Sequence, residues 1–595
     1  MNKFKKILDI IHIDKRFFSF SFIVLISAFF DILGIASVYP FITILLNTQL
    51  IESNKFLNIF YQISLNFGVK STREFLIVFG MVIFFINLTS IFFRASASYV
   101  QNRYVLFCEF NISKRLINNY LNKPYLWFLS KHSSVLEKNI LSEVTQVINY
   151  IIFPFINILT QTFLILAILI IIIFLEPILM IFTILILIVT YRVIFYFLKN
   201  TLIYKGSERF KANETRYRSL TDILSATKEI KVRGLEEIYI NRFNSSSLTY
   251  LKSISSASII SQVPRYIVEA IAIGGMILIS LFLISSGKSF ESIIAFLSVL
   301  AFACYRMIPS IHQVYSNLTQ INFNDASLEN LHKDLFASKL SMKNNTKKKL
   351  FFKKSILLKN ISFAYPNTKY STIQNINFTI PALSKVAIVG STGCGKTTIA
   401  DIILGLLDPS QGNLIVDGKI INDKNKKRWQ NNIGYVPQQI YLADESIASN
   451  IAFGLEANEI NYKKVINAAK VANLHNFIID NLPHAYDTKI GERGVRLSGG
   501  QRQRIGIARA LYYKPKLLIL DEATNSLDSL TEKIVMEAIQ NLMGKITIIF
   551  ITHRLNIIKD FDLIFFLEKG KLRNKGNYKE LYKNDELFKK IAGSF

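Results

Sequence analysis

The hydrophobic pattern changes character once along the chain. Up to about residue 340, long apolar runs alternate with polar connections rich in Lys and Arg. From 356 onward the apolar runs are short and separated by turn residues. A helix needs about 20 apolar residues to cross a bilayer core. Candidate spans lie at about 17–46, 75–100, 154–175, 178–198, 266–285 and 290–312. Phe163 to Leu198 is one apolar run, too long for a single crossing. Glu176-Pro177 interrupts it, because Pro ends or kinks a helix and Glu prefers water, and the pair predicts a tight hairpin. Pro40, Pro264 and Pro309 are candidate kinks. The first 16 residues place Phe4, Ile7, Leu8 and Ile11 at helical spacing among basic residues, which predicts a helix lying on the inner membrane surface. The apolar run that follows is too long for a secretory signal and lacks a small-residue cleavage site.

The distribution of Lys and Arg sets the orientation. Lys3, Lys5, Lys6, Lys15 and Arg16 precede the first span. Arg103, Lys114, Arg115, Lys123, Lys131 and Lys138 lie between the second and third, and ten basic residues from Lys199 to Arg242 lie between the fourth and fifth. The alternate loops are poorer: Lys288 stands alone near 287, and Lys55, Lys70 and Arg73 occupy 47–73. Both termini and both long connections are therefore expected inside. Those connections are helical in composition, so spans two to five should continue beyond the bilayer. Their tips, near Tyr125–Glu137 and Gly206–Arg233, are places where a cytoplasmic engine can grip the membrane half; the plainer alternative is a solvated basic loop. A polar helix is expected from Gln313 to Leu340, then a linker over 341–355, then a second domain over 356–595.

Composition agrees. Hydrophobic residues make up 51% of the chain, the mean hydropathy is +0.31, and there are 47 Phe. The net charge of +28 comes from 70 basic and 42 acidic residues. The inner connections account for it, so no nucleic-acid partner is needed. Cys108, Cys304 and Cys394 form no metal-ligand or disulfide pattern. Asp31, Arg94, Glu269 and Arg306 fall inside expected spans, with Arg192 and Arg265 nearer the ends. Each costs about 2.5–3.5 kcal/mol at mid-membrane unless partnered. Arg94 and Arg306 are the candidates for contact with an anionic head group; the alternative is ion pairing among these residues or snorkelling to the interface.

The chemistry sits in the second half. Gly390-Ser391-Thr392-Gly393-Cys394-Gly395-Lys396-Thr397-Thr398 follows the apolar run Val386 to Val389 and precedes Ile399 to Leu407. This is the strand–GxxxxGK[ST]–helix form of a phosphate-binding loop. Its glycines let successive N–H groups point at phosphate oxygens, and the helix adds its positive end. Lys396 supplies a charge to the terminal phosphates, and Thr397 a hydroxyl to Mg²⁺. Leu517-Leu-Ile-Leu-Asp521 reads as a buried strand ending in a second Mg²⁺ ligand, Asp521. Glu522 follows as candidate general base for an attacking water. Leu497-Ser498-Gly499-Gly500-Gln501 opens a helix and makes another anion site. One triphosphate does not need two such sites in one chain, whereas a head-to-tail dimer does. The pentapeptide alone would also serve as a helix cap.

Together these motifs resemble those of ABC transporter nucleotide-binding domains. The resemblance implies further roles: Tyr365 (in Phe363-Ala-Tyr365-Pro366) stacks on adenine, and Gln438 (in Tyr435-Val-Pro-Gln438) senses Mg²⁺. Gly491-Glu-Arg-Gly494 precedes the signature as in exporters, Asp528 communicates across the dimer, and His553 is the γ-phosphate switch. The six-span order with the ATPase behind it resembles type I (type IV fold) ABC exporters. This implies a six-helix membrane domain fused to an α/β P-loop NTPase, working as a homodimer with ATP and Mg²⁺ in the inner membrane of a bacterium. Asp31 to Phe41, Val263 to Glu269 and Tyr305 to Pro309 resemble bacterial lipid-linked oligosaccharide flippases. In that likeness Arg94 and Arg306 match part of an arginine belt, Asn47–Arg73 holds a short external helix, and Gln313 stands where a further basic residue would. The expected activity is ATP-driven flipping of a lipid-linked glycan. A lipid A, drug or peptide exporter, or an ATP-gated regulator or channel, shares the same architecture.

Overall fold

The computed structural model describes residues 3–11, scattered positions between 22 and 69, and then 71–173, 177–287, 290–336 and 349–593, the last apart from 367, 369, 492–493, 495–496, 524–528, 541 and 543. The chain forms two compact units. One is Met1–Lys123 with Phe128–Ser341; the other is Pro124–Trp127 with Met342–Phe595.

The first unit is helical: α1 (Lys3–Ile10), α2 (Lys55–Asn66), α3 (Thr72–Leu121), α4 (Phe153–Ile173), α5 (Pro177–Ser225), α6 (Glu236–Ser285), α7 (Phe290–Phe323) and α8 (Asp325–Phe336). Helices α3, α5 and α6 run for 50, 49 and 50 residues. At 1.5 Å per residue each is about 75 Å long, more than twice a hydrocarbon core of about 30 Å. The apolar runs at 75–100, 178–198 and 266–285 are thus portions of longer helices whose remainder is polar. Among the described residues three helices are long and apolar enough to cross a membrane: Thr72–Leu121, Ser133–Ile170 and Glu236–Ser285. Half of the expected first span, with Asp31, and the expected hairpin turn at 174–176 lie outside the described residues. Pro177 opens α5, where its missing N–H is no loss. Helices α6 and α7 continue through Pro264 and Pro309. A short helix, α2, does occupy the segment between the first two expected spans.

Helix α1 forms where its sequence places it, and its apolar residues divide between two environments. Ile7, Ile10 and Ile11 are buried within the unit, while Phe4 and Leu8 are exposed. Lys3 pairs with Asp325 at 3.0 Å, Lys6 with Glu329 at 3.8 Å, and Asp9 lies 3.5 Å from His332. Ion pairs and buried isoleucines dock α1 on α8, so much of the apolar face expected to meet lipid is covered by protein.

A buried polar knot ties α5 and α8 to the helical connection between α3 and α4. That connection contains π-helical turns at Lys138–Glu143 and Ile148–Ile152, the kind of irregularity that re-aims side chains. The Glu143 carboxylate, fully buried, accepts from Arg209 at 3.2 Å, Asn213 at 3.0 Å and Ser327 at 2.6 Å. Nearby, Tyr120 donates to Asp334, and Asn139 reaches the same carboxylate.

The second unit is α/β. A four-stranded antiparallel sheet has the order β2 (Ile373–Pro381), β1 (Ser355–Phe363), β4 (Gln411–Val416), β5 (Lys419–Ile420). A six-stranded sheet has the order β10 (Lys571–Gly576), β9 (Leu563–Glu568), β3 (Lys385–Gly390), β8 (Thr547–Thr552), β7 (Leu517–Asp521), β6 (Ile433–Val436). Its strands are parallel except β10. Strands β3, β7 and β8 are buried along their whole length, as strands covered on both faces must be. Leu126, in the short segment that belongs to this unit, packs on its core. Asp417 holds the entry to β1, its carboxylate accepting the N–H groups of Lys353, Lys354 and Ser355 at 2.7, 2.8 and 2.9 Å.

Two stability predictions follow from these features. Arg209→Met leaves a buried, unpaired carboxylate and should cost about 3–5 kcal/mol. It is read as a large fall in melting temperature of the purified chain, with the double variant Glu143→Leu/Arg209→Met recovering most of it. At Asp417, partial burial raises the carboxyl pKa, but the three N–H donors outweigh it and hold the pKa below the usual carboxylate range. A depressed folded pKa stabilises above the unfolded value of about 3.9 and loses that contribution as pH falls through the folded one. Asp417→Asn should therefore lower the melting temperature at pH 7, and the gap from wild type should close in strong acid.

Candidate functional site

Parallel pairing brings the chemistry to one edge. In register, Asp521 on β7 lies opposite Ile551 on β8, Thr552 on β8 opposite Val389 on β3, and Gly390 on β3 opposite Leu567 on β9. The loop after β3, the carboxylates ending β7 and the residues following β8 therefore share the carboxyl ends of adjacent strands, where open α/β sheets bind ligands.

The loop is curled as its sequence requires. A Cβ at Gly390 would sit 2.4 Å from the Leu567 carbonyl oxygen and 2.6 Å from Cys394 Sγ, so no other residue fits. Gly395 has φ +99° immediately before the helix Lys396–Ile403. That helix stops short of the expected Leu407, because Gly405 turns left-handed at φ +66°. Lys396 is buried, its Nζ donating to the carbonyls of Gly390 and Ser391 at 3.0 Å each. The ammonium thus braces the loop whose N–H groups it would assist. Burial pushes the Cys394 thiol up, with Lys396 opposing. Thr398 is buried and lies 3.2 Å from the Tyr365 hydroxyl, and the Tyr365 ring stands edge-on to Phe363 at 5.0 Å.

Asp521 is buried at the end of β7. Burial first, then Glu522, pushes its carboxyl up to about 6, while Lys396 and the hydroxyl of Tyr435 pull it back. Asp401 is also raised to about 6, by burial and then by Asp521. Glu522 holds a left-handed conformation, φ +48°, costly for a residue with a Cβ and characteristic of functional sites. Its N–H donates to the Ile551 carbonyl at 2.9 Å. One carboxylate oxygen accepts from Gln438 Nε2 at 2.8 Å, and the other lies 3.4 Å from His553 Nδ1. Three residues chosen separately from the sequence thus meet at one carboxylate.

Ser498, Gly499, Gly500 and Gln501 form a group of their own. Ser498 Oγ accepts from the Gln501 N–H at 3.2 Å, and Gln501 Oε1 accepts from the Ser498 N–H at 2.8 Å. This is a capping box at the start of Gly499–Tyr512. Among the described residues no hydrogen bond joins it to the loop at 390–398. Gly491 and Gly494 both have positive φ, 76° and 66°; Asp528 lies outside the described residues. Sequence reasoning passed over Asp401 and Tyr435. Tyr435 opens the segment from which Gln438 was chosen, and Asp401 is one helical turn beyond Thr397, so spacing alone offered a signal.

The membrane-half candidates are less gathered. Arg94 is exposed on α3, and the Arg306 side chain lies outside the described residues. Glu269 is taken by Arg265 one turn away, at 2.7 Å. Gln313 accepts from Asn157 at 3.5 Å.

Comparison with known proteins decides the family. Residues 373–525 match the ABC transporter family, and residues 18–306 match the ABC transporter transmembrane region. This chain belongs to the ABC transporters. It joins an N-terminal helical transmembrane domain to a C-terminal ABC ATPase domain. The heterocyst differentiation ATP-binding protein HepA of Nostoc is 36% identical over 365 residues, 60% of this chain and 58% of that protein. The ATP-dependent lipid A-core flippase of Haemophilus influenzae is 40% identical over 239 residues, 40% of each chain. The matches to these curated relatives thus span 58% and 40% of their length. The solved structure of a bacterial Atm1-family ABC exporter with ATP bound has the same fold, with a TM-score of 0.81, 21% identity and 98% of both chains covered.

Glu522→Gln should keep nucleotide binding and lose about 10²–10⁴-fold in turnover. Lys396→Ala should weaken both. Fluorescent-nucleotide titration beside phosphate release checks the pair, and wild-type turnover in Glu522→Gln would remove that residue from the reaction.

Proposed function

We propose that this ABC transporter is an ATP-driven lipid exporter of a bacterial inner membrane. In this reading it moves an amphipathic lipid, a lipid-linked oligosaccharide in the first instance, from the cytoplasmic to the outer leaflet. The observation that carries the reading is the Glu522 carboxylate, held between Gln438 and His553 beside Asp521 and Lys396, in a chain whose other unit is made of long apolar helices.

In the proposed chemistry the loop 390–398 and Lys396 cradle the phosphates, and Tyr365 offers its ring to the adenine. Glu522 takes a proton from the attacking water, with Gln438 and His553 fixing its orientation. The residues fit a divalent cation. Thr397, Asp521 and Gln438 present oxygen donors, which suit Mg²⁺; the Gln438 amide nitrogen already faces Glu522, leaving its oxygen for a metal. Bound Mg²⁺ would neutralise charge on the phosphate oxygens. Asp521, Gln438 and Thr397 would hold it, and Lys396 would share that charge.

A homodimer follows from the same reading. The Ser498–Gln501 turn opens a helix with Ser498 at the surface, yet shares no hydrogen bond with the chain's own phosphate loop among the described residues. A second copy, head to tail, would close this turn over that loop. Closure would reach the membrane half through the helical tips; Leu126, packed on the ATPase core, supports the first of these. Arg94 and Arg306 are the proposed contacts for an anionic head group, and the likeness of three membrane segments to oligosaccharide flippases supports the cargo. The Haemophilus relative favours a second reading, transport of a lipid A core.

The test is ATP-dependent flipping in proteoliposomes, with a fluorescent polyprenyl-pyrophosphate oligosaccharide and a labelled lipid A core as separate cargoes. Wild type should flip the first, Glu522→Gln neither, and Arg94→Ala the first at a reduced rate. Flipping of lipid A core alone would transfer the assignment to the second reading. Intact ATPase activity with no flipping of either would overturn both.

A further inference from the structure

The membrane half holds a cavity of about 420 Å³ between α4, α5 and α7, the size of a small-molecule pocket. Its walls are apolar, formed by Leu169, Phe195, Met307, Ile311 and Leu318, with Tyr191 and Arg192 at one side. Two features do not belong in a pocket meant only for hydrocarbon. Arg192 makes no ion pair among the described residues. The Tyr191 hydroxyl is buried and without a hydrogen-bond partner among the described residues, its ring lying 5.5 Å from that of buried Tyr315.

Position along α5 narrows the choice of occupant. Arg192 precedes Lys199, the first basic residue of the inner connection, by about 10 Å of helix. In the orientation that the Lys and Arg distribution gives, the guanidinium lies just within the inner boundary of the bilayer, where Arg snorkels towards head groups. A second copy of the chain is a poor occupant. Carboxylates in the expected spans are few, namely Asp31, Glu269 and Glu291, and Glu269 is already paired with Arg265.

We infer that this groove binds one anionic lipid of the inner leaflet, its hydrocarbon chain between Leu169 and Met307 and its phosphate on the exposed Arg192 at the groove's edge. The inference rests on the proposed membrane orientation and lipid-handling role, and it adds a tail-binding site apart from Arg94 and Arg306. Arg is suited to the head-group task because its planar fork meets phosphate oxygens in pairs.

The experiment uses the full-length protein in nanodiscs without nucleotide. Two probes with the same diazirine-bearing acyl chain, a phosphatidic acid and a phosphatidylcholine, are photo-crosslinked and the labelled peptides mapped. Phosphatidic acid should label segments 165–169 and 307–318 about tenfold more than phosphatidylcholine, whose phosphate carries less charge and a choline cation that Arg192 repels. Arg192→Gln should bring that ratio near one. Leu169→Trp, which fills the groove, should abolish labelling by both, and Arg233→Gln, exposed elsewhere in the unit, should change nothing. Equal labelling by the two lipids in wild type, or a ratio unaffected by Arg192→Gln, would overturn the inference. Because labelling needs no ATP, selective labelling without flipping would keep the groove and reject the transport reading. Flipping without selective labelling would do the reverse.

Discussion

The site depends on the parallel hydrogen bonding of β3, β8 and β7. Three buried strands in fixed register put the phosphate loop, the Asp521–Glu522 pair and His553 on one edge, although these residues are far apart in the chain. The same ladder fixes the backbone of Glu522, whose N–H bonds to Ile551 while its φ stays at +48°. A left-handed glutamate is tolerated because the strand pairing on one side, with Gln438 and His553 on the other, leaves it little choice. The strain is local, and what it secures is the direction of one carboxylate.

Electrostatics works on that geometry. Asp401, Asp521 and Glu522 are acidic neighbours with Lys396 as the close cation, and burial together with mutual repulsion lifts Asp401 and Asp521 to about 6. Such a cluster is poised to accept positive charge. The membrane half handles charge differently. Glu143 is buried with Arg209, Asn213 and Ser327 around it, and removing either ion would cost more than the pair contributes. There the charge pins three helices together; in the ATPase half it is arranged towards a ligand.

Much of the ATPase site was legible in the residues. The loop at 390–398, the strand ending in Asp521 and the cap at Ser498 each use few residues at fixed spacing, because local backbone geometry demands them: no room for a Cβ at Gly390, positive φ at Gly395, a hydroxyl at a helix start. Asp401 and Tyr435 were signalled only by their spacing from Thr397 and Gln438; their importance comes from lying beside Asp521, and neither forms a motif with it. Helix α1 shows the limit of periodicity. Phe4, Ile7, Leu8 and Ile11 announce an apolar face, yet the pattern cannot say what covers it. The answer lay in Asp325, Glu329 and His332, remote in sequence, which dock the helix on protein.

The sequence by itself determined the two-part architecture, the phosphate loop, the acidic strand end and the long apolar helices, because each follows from interactions within a short stretch of chain or from the cost of placing it in water. Only the tertiary structure decided that Gln438 and His553 converge on Glu522, that Glu143 is sealed between helices, and that Tyr191 and Arg192 face an apolar groove. Those facts depend on which distant segments meet. Meeting is set by sheet register and helix packing over the whole core, which no local pattern records.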